Sequence, residues 1–438
     1  MSEIMTKSQK LLERRKNIVA NGVGVFNTAT VNKAKGAIIT DPDGNELIDF
    51  AGGIGVVNVG HCPEPVVKAI REQAEKYIHT SFNVVTYEPY IELCEQLAEI
   101  FPHGKKTKVM LVSTGAEAVE NAIKIAKQAT KRQAVISFTD AFHGRTLMAL
   151  SLTSKIDYKL NCGPFAPEVY RLPFPNFYRY HDNKSMDEFV DLELKRLHES
   201  AKNLVNPKNV AAVIIEPVQG EGGFTCVPQK YFEGLRDFCD EHGIMLIADE
   251  IQSGFGRTGN WASWQNYGVQ PDISTYAKSL GSGMPIAAIV GRAEVMDAAA
   301  PSSIGGTYIG NPVCCAAALA TLKMIKDQDL NQRGTEIGKV IESRFKEIQK
   351  ITPQIGDVRG MGAMMAMEFV KNGDPRQPDG ELCKEIMTNC AKNGLIIITA
   401  GTYKNTIRVL CPLVITDEQL NKGLTILEKE IFKATHKI

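Results

Sequence analysis

Two stretches decide the fold, Ile244-Met245-Leu246-Ile247-Ala248-Asp249 and Ile273-Ser274-Thr275-Tyr276-Ala277-Lys278. Each is a short apolar or β-forming run, typical of a buried strand, and each ends on a charged side chain. Open α/β sheets keep their ligands at the carboxyl ends of the strands. The two runs therefore predict an α/β fold in which Asp249 and Lys278 face one site.

An amine and a carboxylate at such an edge have a specific chemical use. A lysine followed by a glycine-rich turn, here Gly281 and Gly283, can form a Schiff base with a carbonyl group. An aspartate can hold a protonated pyridine nitrogen, and pyridoxal phosphate requires both groups. At about 4 Å such a pair is worth about 4 kcal/mol, enough to keep the ring protonated. The alternative is a structural ion pair or two solvated charges.

Length and composition point to two lobes and a cytoplasmic location. The chain has 438 residues, 44% of them hydrophobic, which is ample for two cores. Lys plus Arg and Asp plus Glu number 50 each, which argues against a nucleic-acid or polybasic membrane surface. The ten cysteines include no Cys-x-x-Cys pair, so we expect no metal site and a reducing compartment. Residues 1–15 lack a signal-peptide core, and no apolar run reaches membrane-spanning length.

Apolar runs alternate with amphipathic stretches through the middle of the chain, which predicts helical crossovers and a mainly parallel sheet. The predicted strands are residues 109–112, 134–138, 210–215, 244–248, 273–277 and 286–290. The predicted helices are residues 116–128, 229–241, 314–326 and 330–351. We expect residues 1–55 to pack with a small domain, 56–312 to form the large cofactor-binding domain, and 313–438 to form the smaller α+β domain.

Two motifs that follow predicted strands offer groups to a cofactor. Ser113-Thr114-Gly115-Ala116-Glu117 opens a helix, whose free N–H groups and positive dipole end favour a phosphate. An ordinary strand–turn–helix is its alternative. Phe142-His143-Gly144-Arg145 offers a ring that can stack on a planar cofactor and an arginine that can bind a carboxylate. The alternative for Arg145 is a solvated surface side chain.

Two carboxylates lie close together after the predicted strand 210–215. Glu216 ends that strand, and Glu221 lies in the loop Gly220-Glu221-Gly222-Gly223. The pair is compatible with a glycosidase-type acid pair or with a helix or turn cap plus a solvated loop charge. The flanking glycines indicate that Glu221 approaches another group closely or moves. The turn Gly305-Gly306-Thr307-Tyr308 adds a hydroxyl that is a further phosphate candidate.

One glycine motif has a different interpretation. Gly254-Phe255-Gly256-Arg257-Thr258-Gly259 matches the dinucleotide fingerprint, but no apolar-periodic helix begins at its end, so we interpret it as a loop. This argues against a nicotinamide oxidoreductase. A non-catalytic binding protein on the same scaffold would be expected to lack Lys278 or Asp249, and both are present.

Together these residues resemble the class III (subgroup II, fold type I) pyridoxal-phosphate-dependent aminotransferases. The segment from Leu246 through Asp249 and Gln252 to Lys278 is similar to the family signature. The stretches 216–223 and 307–312 support the resemblance, which extends from Phe50 to Arg408. It implies a seven-stranded, mainly parallel sheet in a large lobe and a smaller α+β lobe. It also implies a homodimer, or a dimer of dimers, with active sites shared between subunits.

The resemblance implies roles for the candidate residues around the cofactor. Lys278 would be the Schiff-base lysine and proton carrier, and Asp249 would pair with the pyridine nitrogen. The other residues that would contact or support the cofactor are Gly115, Ala116, Phe142, His143, Glu216, Ile251, Gln252 and, from the other subunit, Thr307. Many relatives have serine or threonine at the position of Ala116, so one side-chain bond to the phosphate would be missing here.

Within the family, the chain most resembles the enzymes that transfer the amino group of 4-aminobutyrate to 2-oxoglutarate, giving succinate semialdehyde and glutamate by a ping-pong mechanism. Arg145 would hold the distal carboxylate of either substrate. Arg408 would bind the α-carboxylate of the acceptor, and Glu221 would neutralise Arg408 while the donor is bound. Ile54 would line the donor pocket and suits a plain four-carbon chain. The donors 5-aminovalerate, putrescine, ornithine and acetylornithine stay open as alternatives.

Overall fold

A small sheet near the start of the chain is completed by a strand from near its end. The structure is a computed structural model that describes residues 5–436. Residues 1–4 of the predicted segment 1–55 and residues 437–438 of the predicted domain 313–438 lie outside the described residues. The first elements are α1 (Lys7–Ile18), β1 (Lys33–Lys35), β2 (Ile38–Thr40), β3 (Glu46–Asp49) and the one-turn α2 (Gly52–Gly55). Strands β1, β2 and β3 pair antiparallel in chain order.

Seven strands form the central sheet. The strands of this part of the chain are β4 (Thr107–Val112), β5 (Ala134–Phe138), β6 (Val169–Leu172), β7 (Val210–Ile215), β8 (Val218–Gln219), β9 (Thr225–Cys226), β10 (Met245–Asp249), β11 (Ile273–Tyr276) and β12 (Ala287–Arg292). The sheet order is β4-β12-β11-β10-β7-β5-β6, and β8 pairs with β9 separately. All the pairs from β11 to β6 are parallel, whereas β12 is antiparallel to both neighbours. The predicted α/β fold with a mainly parallel sheet is confirmed.

Helices cover both faces of this sheet. Neighbouring residues in one strand therefore pack into different hydrophobic clusters. Leu246 and Ala248 of β10 pack in one cluster with residues of the helix Gln229–His242, and Ile247 packs in the other with residues of the helix Gly115–Thr130. The helices of this part are α3 (Glu64–Lys76), α4 (Glu88–Ile100), α5 (Gly115–Thr130), α6 (Leu147–Leu152), α7 (Phe177–Tyr180), α8 (Met186–Asn203), α9 (Gln229–His242), α10 (Ser263–Tyr267) and α11 (Ala293–Met296).

The remaining elements form a smaller α+β lobe. They are α12 (Pro312–Asp327), α13 (Leu330–Ile351), β13 (Ile355–Met361), β14 (Met364–Phe369), α14 (Gly380–Lys392), β15 (Leu395–Ile396), β16 (Ile398–Ala400), β17 (Thr406–Val409) and α15 (Asp417–Thr435). Four of these strands form an antiparallel sheet in the order β13-β14-β17-β16. Strand β15 instead pairs in parallel with β3. The domain boundaries themselves stay a prediction.

Three further features bear on the classes of function. The predicted loop at residues 254–259 consists of turns, so the dinucleotide motif starts no helix. None of the helices between residues 5 and 436 has both the length and the apolar character that crossing a membrane requires. Over the same residues, no group of three or more His, Cys, Asp or Glu side chains is placed to hold a metal ion.

Candidate active site

Asp249 is the last residue of β10, and its carboxylate lies at the carboxyl edge of the sheet. The side chain is buried, and Oδ2 lies 2.7 Å from Nδ1 of His143. Oδ1 accepts hydrogen bonds from the Ile251 N–H at 3.2 Å and the Thr275 hydroxyl at 3.3 Å. The carboxylate is therefore held in one orientation by groups from three segments of the chain.

Lys278 follows β11 and begins a 3₁₀ turn, with a left-handed backbone at φ 41°. A non-glycine residue in this region is strained, and such strain is frequent at functional sites. Burial lowers the pKa of the Lys278 ammonium, while Glu221 and Asp249 act in the opposite direction. Asp249 ends β10 and Lys278 follows β11, and because these strands are parallel neighbours the two residues lie at the same edge of the sheet. A lowered pKa makes the neutral amine more accessible.

The first turn of α5 presents free backbone donors next to Ile251. The Thr114 hydroxyl accepts from the Glu117 N–H at 3.2 Å, and the Glu117 carboxylate accepts from Ser113 and Thr114. This capping box leaves the N–H groups of Gly115 and Ala116, which have no acceptor within the helix. A Cβ at Gly115 would lie 3.0 Å from Cδ1 of Ile251. The close approach of Ile251 leaves no room for a larger residue at position 115.

Glu216 joins the segment that carries Phe142 to the loop that carries Glu221. One carboxylate oxygen accepts from the Phe142 N–H at 2.9 Å, and the other accepts from the Gly220 N–H at 3.0 Å. Burial raises the pKa of Glu216 to about 7, with Asp249 adding to the rise and His143 opposing it. Glu216 therefore shapes the pocket through the backbone.

Arg408 of β17 reaches the site from the small lobe and is almost completely buried. Its Nη2 donates to Oε1 of Glu221 at 2.7 Å, and its Nη1 donates to the Gly220 carbonyl at 3.0 Å and to Oε1 of Gln252 at 3.2 Å. Nε has no hydrogen-bond partner among the described residues. Burial raises the pKa of Glu221, but Arg408 and Lys278 outweigh it and hold that pKa below its ordinary value. Separating the pair without a replacement anion would leave a buried charge.

The remaining predicted residues lie at the margin of the site. Arg145 is exposed, with its guanidinium 4.4 Å from the Tyr158 ring centre. Ile54 is half-buried and adopts φ 68°, which is strained for a β-branched side chain. Thr307 is exposed, and its neighbour Tyr308 packs against His79. Among residues 5–436, no hydrogen bond joins Thr307 to the other site residues.

Two residues near the site carry no recognisable sequence signal. Tyr158 packs edge-on against Phe142 at 5.5 Å. Burial lowers the pKa of Lys155, and the charges of Lys404 and Arg408 lower it further. Glu221 acts in the opposite direction. Lys155 also forms part of the wall of a cavity of about 590 Å³. Both residues lie in a polar segment without periodicity, so only the folded chain reveals their position.

The polar groups of the site fit the expected cofactor, pyridoxal phosphate. An amine, a fixed carboxylate and helix-end N–H groups follow β11, β10 and β4 at the same edge of the sheet, and a carbonyl, a ring nitrogen and a phosphate require such groups. The Nε2 atom of His143 and the Nε atom of Arg408 are buried without partners among residues 5–436. Buried polar atoms of this kind normally have a partner, so the pocket is built for a polar ligand.

Comparisons with known proteins give one consistent family. The sequence model of the class III aminotransferases matches residues 18–431. A probable 4-aminobutyrate aminotransferase of Bacillus subtilis (strain 168) is 48% identical, covering 95% of this chain and 96% of its own length. The 4-aminobutyrate aminotransferase of Escherichia coli (strain K12) is 44% identical, with 97% and 98% covered. A 5-aminovalerate aminotransferase of Pseudomonas aeruginosa is 45% identical, with 96% and 97% covered.

Solved structures agree with the sequences. An amine transaminase from an uncultivated Pseudomonas species, in its PLP-bound form, has a TM-score of 0.90 at 29% identity, covering 95% of this chain and 99% of that one. The ornithine aminotransferase of Toxoplasma gondii ME49 has a TM-score of 0.85 at 30% identity, covering 98% and 96%. The fold is therefore that of the transaminases.

Proposed function

This chain belongs to the class III aminotransferases, and from that premise we propose that it transfers the amino group of 4-aminobutyrate to 2-oxoglutarate. The predicted family and the cofactor, pyridoxal phosphate, are confirmed by the family match and by the PLP-bound neighbour. The proposed products are succinate semialdehyde and glutamate, formed in two half-reactions at one site. The preferred donor and the roles of individual residues are the proposed parts.

The Glu221–Arg408 pair is the observation that carries the proposal. 4-Aminobutyrate has no carboxylate next to its reacting carbon, whereas 2-oxoglutarate and glutamate do. With Oε1 of Glu221 at 2.7 Å from Nη2, Arg408 is neutralised and an unsubstituted reacting carbon can lie beside it. An incoming α-carboxylate can replace Glu221 on the same guanidinium, so the arginine is never left unpaired. One site can thus accept both substrates.

Lys278 and Asp249 are the proposed catalytic residues. Pyridoxal phosphate, when bound, would supply a ring that draws electrons from the donor carbon as that carbon loses a proton. Lys278 would move that proton, and burial, which lowers its pKa, favours the neutral amine that a general base requires. Asp249 would hold the proton on the ring nitrogen, in the orientation fixed by His143. Gly115 and Ala116 would donate to the phosphate, and Phe142 would stack on the ring.

Arg145 and Ile54, at the margin of the site, support an amine donor that has a distal carboxylate. Arg145 is a cation without an ion pair among the described residues, which leaves it available to a substrate carboxylate. Ile54 packs in the apolar cluster that contains Leu410, and an apolar wall suits a plain methylene chain. A donor that is one methylene longer, 5-aminovalerate, is the second candidate, because a relative with that name is 45% identical. Ornithine, acetylornithine and putrescine are less favoured, since each carries a further polar group or lacks the distal carboxylate.

Assembly and location complete the proposal. The exposed position of Thr307 supports a role at the phosphate of a second copy, and hence a homodimer or a dimer of dimers with shared sites. The ten cysteines form no disulfide, which supports a reducing cytoplasm. We also retain the division into residues 1–55, 56–312 and 313–438 as a proposal.

The test is a comparison of amine donors with the holoenzyme. Rates with 4-aminobutyrate, 5-aminovalerate, ornithine, acetylornithine and putrescine are measured with 2-oxoglutarate as acceptor. We expect the largest kcat/KM with 4-aminobutyrate and glutamate as the second product. A larger kcat/KM with ornithine or 5-aminovalerate would overturn the donor assignment, and an absence of glutamate would overturn the reaction itself.

A further inference from the structure

The loop that carries Glu221 is fastened to the small lobe through three backbone carbonyl groups. The bonds are Arg408 Nη1 to the Gly220 carbonyl at 3.0 Å, the Gly401 N–H to the Glu221 carbonyl at 2.9 Å, and Arg359 Nε to the Gly223 carbonyl at 2.8 Å. Arg408 belongs to the substrate site, and Gly401 offers only its backbone. Arg359, on β13, is the side chain in this set that lies outside the site described above.

The guanidinium of Arg359 is itself fixed by two carboxylates. Its Nη1 lies 2.8 Å from Oδ2 of Asp357 and 2.7 Å from Oε2 of Glu368. Glu368 is buried and also accepts from Arg179 and from Asn405. Although burial acts in the opposite direction, the two carboxylates raise the pKa of Arg359. Arg359 is therefore a permanently charged group whose remaining edge is aimed at Gly223.

Arg359 binds the loop without binding the Glu221 carboxylate. A Cβ at Gly223, which has φ 102°, would lie 3.0 Å from Nη2 of Arg359 and from Oγ1 of Thr406. Glycine thus allows the guanidinium to approach the backbone closely. The Glu221 carboxylate instead accepts a hydrogen bond from Arg408. The backbone can stay in place while the side chain leaves Arg408 and returns.

We propose that Arg359 is a positioning residue that keeps Glu221 within reach of Arg408 and thereby sets the preference for 4-aminobutyrate over glutamate as amine donor. The inference rests on the proposed function. 4-Aminobutyrate reacts when Glu221 neutralises Arg408, so a loosened loop weakens that half-reaction. Glutamate places its own α-carboxylate on Arg408 and competes with Glu221, so a loosened loop does not weaken its half-reaction.

The test uses Arg359→Lys in the holoenzyme, with the two half-reactions followed separately by the change in cofactor absorbance. Lysine keeps the charge beside Asp357 and Glu368 but lacks the planar group that spans both carboxylates and the Gly223 carbonyl. We expect kcat/KM for 4-aminobutyrate to fall about tenfold, while kcat/KM for glutamate stays within about twofold. Equal losses with both donors, or no loss with either, would overturn the inference.

Two further variants separate positioning from stability. Arg344→Lys removes a similar planar group. The hydrogen-bond acceptors of Arg344 are Asn421, Thr425 and Glu428, which all lie on α15. We expect the ratio of kcat/KM for 4-aminobutyrate to kcat/KM for glutamate to stay unchanged. Asp357→Asn releases one of the two anions on Arg359 and should shift the ratio in the same direction by a smaller factor. It serves as the test if Arg359→Lys does not fold. An unchanged ratio in Asp357→Asn then overturns the inference.

A double-mutant comparison shows whether Arg359 acts through Glu221. In a Glu221→Gln background, Arg359→Lys should no longer alter the ratio of the two donors, because the charge that it positions is gone. A persistent change of ratio in that background would contradict the inference. If the unmodified protein does not use 4-aminobutyrate at all, the proposed function fails, whereas an unchanged ratio in an active Arg359→Lys protein removes the inference alone.

Discussion

Nδ1 of His143 lies 2.7 Å from Oδ2 of Asp249, and neither side chain has appreciable contact with solvent. The histidine comes from the segment after β5 and the aspartate from the end of β10, so the bond joins two parts of the sheet edge that are separated by β7. With Thr275 and Ile251 on the other oxygen, the carboxylate cannot turn away from the pocket. Its charge is thus available in one fixed direction.

Replacement of this carboxylate by an amide should remove most of the activity. We expect Asp249→Asn to lower kcat/KM about a thousandfold, because a charge pair of about 4 kcal/mol with the ring nitrogen is lost. Single-turnover rates of the reconstituted variant measure this. The control is Glu250→Gln, since the Glu250 carboxylate bonds Ser253, Ser263 and Trp264 instead. That change should lower stability with little effect on the rate per folded molecule. A loss below tenfold for Asp249→Asn would refute its assigned role.

Replacement of Lys278 by methionine should abolish transamination and stabilise the cofactor-free protein at neutral pH. The folded protein lowers the pKa of Lys278 below its ordinary value of 10.5, with burial as the main cause. The unfolded chain therefore binds this proton more tightly, and the charged lysine opposes folding. That penalty is full below the folded-state pKa and disappears as pH rises towards 10.5.

Urea unfolding of the cofactor-free proteins measures the effect of Lys278→Met. The difference in stability between the variant and the unmodified protein should be largest near pH 7 and shrink at higher pH. Lys68→Met, at an exposed position, should change stability little at either pH. Residual transamination by Lys278→Met would contradict the catalytic role, and a destabilised variant at pH 7 would contradict the electrostatic argument.

Replacement of Arg145 by glutamine should affect donors according to their carboxylate. We expect kcat/KM for 4-aminobutyrate to fall about a hundredfold, because a charged hydrogen bond of about 2–3 kcal/mol is lost. Putrescine has no carboxylate, so its rate should change less than about threefold. Arg376→Gln, which removes an exposed arginine paired with Asp182, is the matched control. Equal losses for both donors would show that Arg145 does not recognise the carboxylate.

Addition of a hydroxyl at position 116 should strengthen cofactor binding. Ala116 is the second residue of α5, and its N–H group lies in the first turn. We expect Ala116→Ser to lower the dissociation constant for pyridoxal phosphate about fivefold, which corresponds to one added hydrogen bond of about 1 kcal/mol. Equilibrium titration of the cofactor-free protein checks this. Thr114→Ala, which removes the helix cap instead, should weaken binding. Weaker binding by Ala116→Ser would show that the hydroxyl meets no phosphate.

Two strands with continuous apolar runs were predicted at their observed bounds. Residues 210–215 and 134–138 match β7 and β5, because strands buried on both faces need apolar side chains throughout. Strand β6 was missed, since an edge strand with the half-buried sequence Val-Tyr-Arg-Leu lacks that signal. The direction of β12 was also not predicted. The short link from Tyr276 to Ala287 holds no crossover helix, so an antiparallel return was open to inference.

Less of the site than of the fold could be predicted from local sequence. The ends of β10 and β11 placed Asp249 and Lys278 at one edge, because parallel strands share a direction. The bond between His143 and Asp249 and the clamp formed by Glu216 depend on contacts between distant segments. Such pairs follow no helical or strand period. The position of Arg359 beside the loop of Glu221 has the same origin.

The pairing of β3 with β15 has a consequence for synthesis of the protein. Glu46–Asp49 leaves the ribosome early, whereas its parallel partner Leu395–Ile396 is made only after most of the chain. Until then the emerging polypeptide carries an uncovered strand edge that can pair with other chains. Protection of this edge during translation is therefore a requirement for a good yield of the native protein.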